Sequence, residues 1–132
     1  MESTARGTYR TTGWRQQEYG SAEGGPKLTL AEKDLRLEGE LEGTAVGRST
    51  IVQWGTGASV ATGHVLITGR IGGRSGSFVV EEGMRGGPAG ATATWRIVPE
   101  SGSGELTGVA GEGTWEWKPG AELVAYTLSY RL

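Results

Sequence analysis

Few residues in this chain could do chemistry, and the first of them come as a pair. In "GGRSGSFVVEEGMRGG", Gly72 to Gly87, an apolar run ends in Glu81 and Glu82 between two pairs of glycines. Alternation puts Glu82 on the face of Phe78 and Val80, and Glu81 with Ser77 and Val79 on the other. The Gly83 turn predicts Glu82 near the end of its strand. One role for it there is a solvated carboxylate that blunts a strand end or pairs with Arg85 or Arg96. The other is a poorly solvated carboxylate in an aromatic pocket, suited to acid–base work or to orienting a substrate. The remaining candidates narrow the chemistry. There is one histidine, His64, one aspartate, Asp34, and no "GxSxG" stretch, so a hydrolase triad is nearly excluded. His64 lacks a second histidine or any cysteine to share a metal, and it is expected at the surface. No nucleotide-binding glycine pattern occurs, and no cofactor is expected.

Aromatic residues supply what remains. Trp14, Trp54, Trp95, Trp115, Trp117, Phe78, Tyr126 and Tyr130 fall mostly on faces assigned inward. They could simply fill a core, or line a pocket for an apolar ligand. On the second reading Glu82, Tyr126 and Tyr130 are the candidate catalytic groups, with the tyrosine hydroxyls able to donate to a carbonyl that gains charge. Trp14, Gln16, Trp54, Phe78, Val80, Trp95, Trp115 and Leu128 are then the candidate substrate contacts, Gln16 as a polar anchor.

Strands must position these groups. In "ELVAYTLSYRL", Val124, Tyr126, Leu128, Tyr130 and Leu132 share one face, a period of two. "GEGTWEWKPG" precedes it, with Trp115 and Trp117 together, and "KPGAE" turns between the two as a hairpin. "ATATWRIVPE" pairs Trp95 with Ile97 and puts Arg96 on the opposite face; "SGSGELTG" reads as a loop, where Glu105 is expected to satisfy backbone amides. "DLRLEGELEG" alternates Leu35, Leu37 and Leu41 with charge. "STIVQW", "GHVLITGRI" and "GTYRTTGWRQQEY" complete about eight strands with no helix. The fold class is therefore all-β, and a single closed antiparallel up-and-down barrel over residues 1–132 is expected, since closure removes exposed edges. A sandwich is the alternative.

Composition agrees with one ordinary domain. The chain has 132 residues, a net charge of −2 and no cysteine. Disulfides and thiol chemistry are thereby excluded, and no basic footprint for nucleic acid exists. No apolar run reaches the ~20 residues of a membrane span, and the polar N-terminus carries no signal-peptide core, so a soluble cytoplasmic protein is expected. The 25 glycines accompany five tryptophans and regular alternation, which points to turns and not to disorder. Missing asparagine, scarce lysine and abundant alanine suggest a bacterium with a GC-rich genome.

Three segments, "GELEGTA", "GRIGGRSGSFVVEEG" and "ATWRIVPESGSGELTGVAGEGTWEW…AYTLSYRL", resemble a bacterial domain family of unknown function. Its barrel is similar to that of plant allene oxide cyclase. The likeness runs from about Trp14 to Leu132 and rests mostly on turn motifs, which speak to fold. At two positions the chain departs from the family pattern: Gln16 stands where an acid is usual, and Glu82 where histidine is frequent. The resemblance implies a calycin-like barrel with a central cavity. It also implies cyclase or isomerase chemistry without a cofactor, closing a ring in an apolar substrate of secondary metabolism. Allene oxide cyclase-like proteins can self-associate, which leaves a homo-oligomer open. The second function expected is a barrel that binds a hydrophobic small molecule without transforming it.

Overall fold

The computed structural model describes residues 2–132 and is built almost wholly of strands. They are β1 (Ser3–Ser21), β2 (Lys27–Gly39), β3 (Leu41–Gln53), β4 (Ser59–Ile71), β5 (Arg74–Gly87), β6 (Gly90–Ile97), β7 (Ser103–Gly104), β8 (Ala110–Trp117) and β9 (Val124–Arg131). Each of the long strands pairs antiparallel with its neighbour, and β9 returns to β1. Eight strands thus form a closed barrel, while the two-residue β7 pairs with β5 outside the ring. Among the described residues no helix is long and apolar enough to cross a membrane.

Turn chemistry places the corners. Gly72 and Gly73 turn β4 into β5 at φ of 59° and 79°, angles that side chains seldom tolerate. The leucines of "DLRLEGELEG" belong to two strands, not one, because Gly39 at φ 110° breaks the run and Leu41 begins β3. Strand β5 is longer than expected. It continues through Gly83 to Gly87, so Glu82 lies well inside a strand instead of at its end.

Inward faces follow the alternation. Leu35, Leu37, Leu41, Ile67, Ile71, Phe78, Val80 and Leu128 are buried at the end of the barrel that holds the chain termini. Farther along, large side chains face small ones across strands: Trp95 lies opposite Gly113, and Trp115 opposite Ala93. That complementarity lets two indoles enter one narrow barrel.

The seam between β1 and β9 is short. It pairs Ser3 through Tyr9 with Tyr130 through Val124 and stops. Beyond it β1 pairs only with β2, with irregularities between Thr11 and Gly13 and between Glu18 and Gly20. The first of these shifts the face of the strand, so Trp14 and Gln16 lie opposite the inward Lys33 and Ala31.

Candidate functional site

Glu82 is a buried charged side chain of the barrel, and only 4% of it is exposed. Its Oε1 accepts a hydrogen bond from Lys33 Nζ at 2.6 Å. Its Oε2 accepts two more, from Trp95 Nε1 at 2.7 Å and Trp115 Nε1 at 2.8 Å. Three strands supply the donors: Lys33 comes from β2, Trp95 from β6 and Trp115 from β8. Lys33 must reach past β3 and β4 to meet β5, and Gly47 makes room for it. A Cβ at Gly47 would sit 3.1 Å from Lys33 Cε. The ammonium also stands 5.7 Å from the centroid of the Trp115 ring, a cation–π contact.

Tyr9 completes the cluster. Its ring stacks on Trp95 at 6.4 Å and meets Trp115 edge-on at 6.1 Å. Tyr126 stacks on Trp95 from another side at 6.0 Å. Burial first, and the Glu82 charge second, push the Tyr9 hydroxyl far above tyrosine's ordinary pKa, so it keeps its proton. Among the described residues this hydroxyl forms no hydrogen bond, yet every side-chain nitrogen or oxygen sealed from solvent has a partner. The Tyr9 hydroxyl therefore borders a space that admits water.

The capacity of the cluster is unequal. The carboxylate is occupied by three donors, two of them neutral N–H groups that hold it in place. Lys33 carries three donors and spends one on Glu82. Lys33 and Tyr9 thus retain hydrogens to give, whereas Glu82 has little left to accept. No group of three or more His, Asp or Glu side chains that could hold a metal ion occurs among the described residues.

The family profile described as "Protein of unknown function (DUF3224)" matches residues 5–130. The chain belongs to this family. A crystal structure of a DUF3224 protein of unknown function from Shewanella oneidensis MR-1 shares the fold, with a TM-score of 0.79 and 22% identity. The match covers 100% of this chain and 98% of that one. No curated protein is significantly similar to the chain.

Within this DUF3224 barrel the expected site residues part company. Phe78, Val80, Glu82, Trp95, Trp115, Tyr126 and Leu128 all face inward and are buried. Trp14 is 49% exposed, because the half of β1 that carries it has no partner strand on its open side. Its indole N–H donates to Gln16 Oε1 at 2.9 Å, so both belong to the rim. Trp54 is exposed in the turn after β3, and Leu132 lies past the last strand. Tyr130 sits at the opposite end, its hydroxyl over Gly72, apart from Glu82. Tyr126 is buried but committed: its hydroxyl accepts from Leu41 N at 3.1 Å and faces the carbonyls of Leu41 at 2.6 Å and Glu38 at 2.9 Å. It ties β9 to the β2–β3 turn and has no donor to spare for a ligand.

At the level of Trp95, Tyr9 packs on both indoles and Tyr126 stacks on Trp95. Glu82 pairs with neither Arg85 nor Arg96 but with Lys33. Lys33 and Tyr9 are not among the expected site residues: Lys33 precedes the alternating run "DLRLEGELEG", and Tyr9 shares its segment with Trp14. Counting back by two from Leu37 and Leu35 reaches Lys33 on the same face, a signal available in "LAEKDLRL".

Proposed function

We propose that this protein binds an apolar small molecule that carries a neutral acceptor such as a carbonyl. The acceptor meets the Lys33 and Tyr9 donors, and the apolar body lies under Trp14 at the open side of β1. The observation that carries this reading is the imbalance of the cluster: two unspent donors stand in an aromatic setting beside a carboxylate whose lone pairs are already engaged. Glu82 disfavours an anionic ligand, since a second negative charge beside it would be repelled. Trp14 supports the reading as a cover. It faces the same side as Lys33, is half exposed, and is held by one bond to Gln16.

Ring closure or isomerisation of the bound molecule is the second reading, and the retained Tyr9 proton favours it. A desolvated ammonium and a phenol could stabilise charge that develops on a carbonyl oxygen, while aromatic walls hold a flexible chain in a reactive shape. The resemblance of the sequence motifs to a family expected to share the allene oxide cyclase barrel supports the same chemistry, which needs neither metal nor nucleotide. Glu82 in this scheme is a positioning residue, because it holds Lys33 and both indoles.

Titration of neutral apolar ketones and aldehydes, followed by tryptophan fluorescence and thermal shift, tests the proposal. A ligand that binds the folded state alone must raise the melting temperature. Binding should weaken about tenfold in Trp14→Ala, which leaves the core untouched. Binding that is absent from the whole panel, or that Trp14→Ala leaves unchanged, overturns it.

A further inference from the structure

The outer face of the barrel carries an ordered pattern that the interior site does not use. Across β3, β4, β5, β6 and β8, strand pairing aligns Arg48, His64, Glu81, Arg96 and Glu112 in one outward row. All five are exposed. Opposite charges stand side by side in this row, yet none of the five joins an ion pair within 4.0 Å among the described residues. The next row toward the open end holds Thr50, Thr62, Gly83, Thr94 and Thr114. Gly83 leaves a notch there, and a groove of about 950 Å³ runs along both rows. On the other side of the charged row lie exposed Val46 and Leu66, followed by Val79.

We propose that two copies of the chain meet on this face, about a two-fold axis parallel to the strands and midway between β5 and β6. The charge pattern carries the proposal, because that axis makes it self-complementary on both strand pairs, β5 with β6 and β4 with β8. Rotation brings Glu81 onto the partner's Arg96 and Arg96 onto the partner's Glu81. His64 meets the partner's Glu112 in the same step. In the threonine row the notch at Gly83 receives the partner's Thr94, a knob in a hole. Val79 meets the partner's Val98 beside Leu66, so apolar surface faces apolar surface. Arg85 and Glu116, one row farther on, face the partner's Thr92 and Val60, and like charges are nowhere opposed.

The size of the patch sets the strength. Five strands span about 24 Å, and three to four rows about 20 Å, or roughly 500 Å² on each subunit. That is below the standard interface, so a micromolar, reversible dimer is expected, weakened by salt. The interior cluster lies on the opposite face of the same strands, since Glu82 and Trp95 alternate with Glu81 and Arg96.

Sedimentation equilibrium across a range of protein concentrations, at low and high salt, tests this. Wild type should dimerise at low salt. Glu81→Arg and Arg96→Glu should each raise the dissociation constant about tenfold or more, since each places like charges together twice. An equimolar mixture of the two variants should associate again, because each new charge then meets its opposite. The double variant E81R/R96E should also self-associate. Unchanged circular dichroism would show that the single variants still fold, as their exposed positions require. A chain that stays monomeric at low salt, or a mixture that fails to recover association, overturns the proposal.

Discussion

The two ends of the barrel bury polar groups in opposite ways. Toward the chain termini, the Tyr126 hydroxyl is bonded only to backbone, the amide and carbonyl of Leu41 and the carbonyl of Glu38. Toward the open side of β1, Lys33, Glu82 and Tyr9 share a level with Trp95 and Trp115, and donors outnumber acceptors. The first arrangement is complete within the chain, as a structural lock should be. The second is complete only for Glu82, and its surplus donors distinguish a site from a lock.

The sharpest way to break this contrast is at Glu82. Glu82→Gln keeps the shape but leaves the Lys33 ammonium without a counter-charge in a setting that is 11% exposed. Such a loss should cost about 3–5 kcal/mol in chemical denaturation, whereas Glu81→Gln on the outer face should stay within about 0.5 kcal/mol. Equal effects from the two would contradict the assigned faces. Adding Lys33→Met to Glu82→Gln should recover part of the stability, because the stranded charge is gone.

A smaller effect is expected at the other end. Tyr126→Phe strands the amide of Leu41 and should cost about 1–3 kcal/mol, while ligand affinity at the open end stays unchanged. A variant that lost binding in proportion to its stability would erase the distinction between the two ends.

The smallest effect is visible only in alkali. Burial is the first cause of a raised pKa for both Tyr9 and Tyr126, so the folded protein retains protons that the unfolded chain begins to lose near 10.0. Stability should be whole below about pH 10 and fall as pH rises past it. Tyr9→Phe should flatten that decline, measured by denaturant midpoints between neutral and alkaline pH. A slope that Tyr9→Phe leaves untouched would mean that the Tyr9 hydroxyl is solvated in the folded protein much as in the unfolded chain.

Alternation of apolar and polar residues determined much of this molecule without help. Leu35, Leu37, Phe78, Val80 and Leu128 point inward, Glu81 and Arg96 outward, and His64 lies on the surface, each as a period of two requires. Glycine and proline punctuation marked the hairpins, because those backbone angles are local properties. What the tertiary structure alone decided was the fate of residues whose surroundings come from distant strands. Trp14 faces the inner side yet stays half exposed, since the β1–β9 seam ends at Tyr9 and nothing covers the strand beyond. Glu82 is buried because β5 continues past Gly83, and it is charge-paired because Gly47 lets Lys33 cross two strands to reach it. Local sequence sets the face a side chain takes. Only closure of the barrel decides what stands opposite, because a partner 49 residues away has no signature in the neighbouring chain.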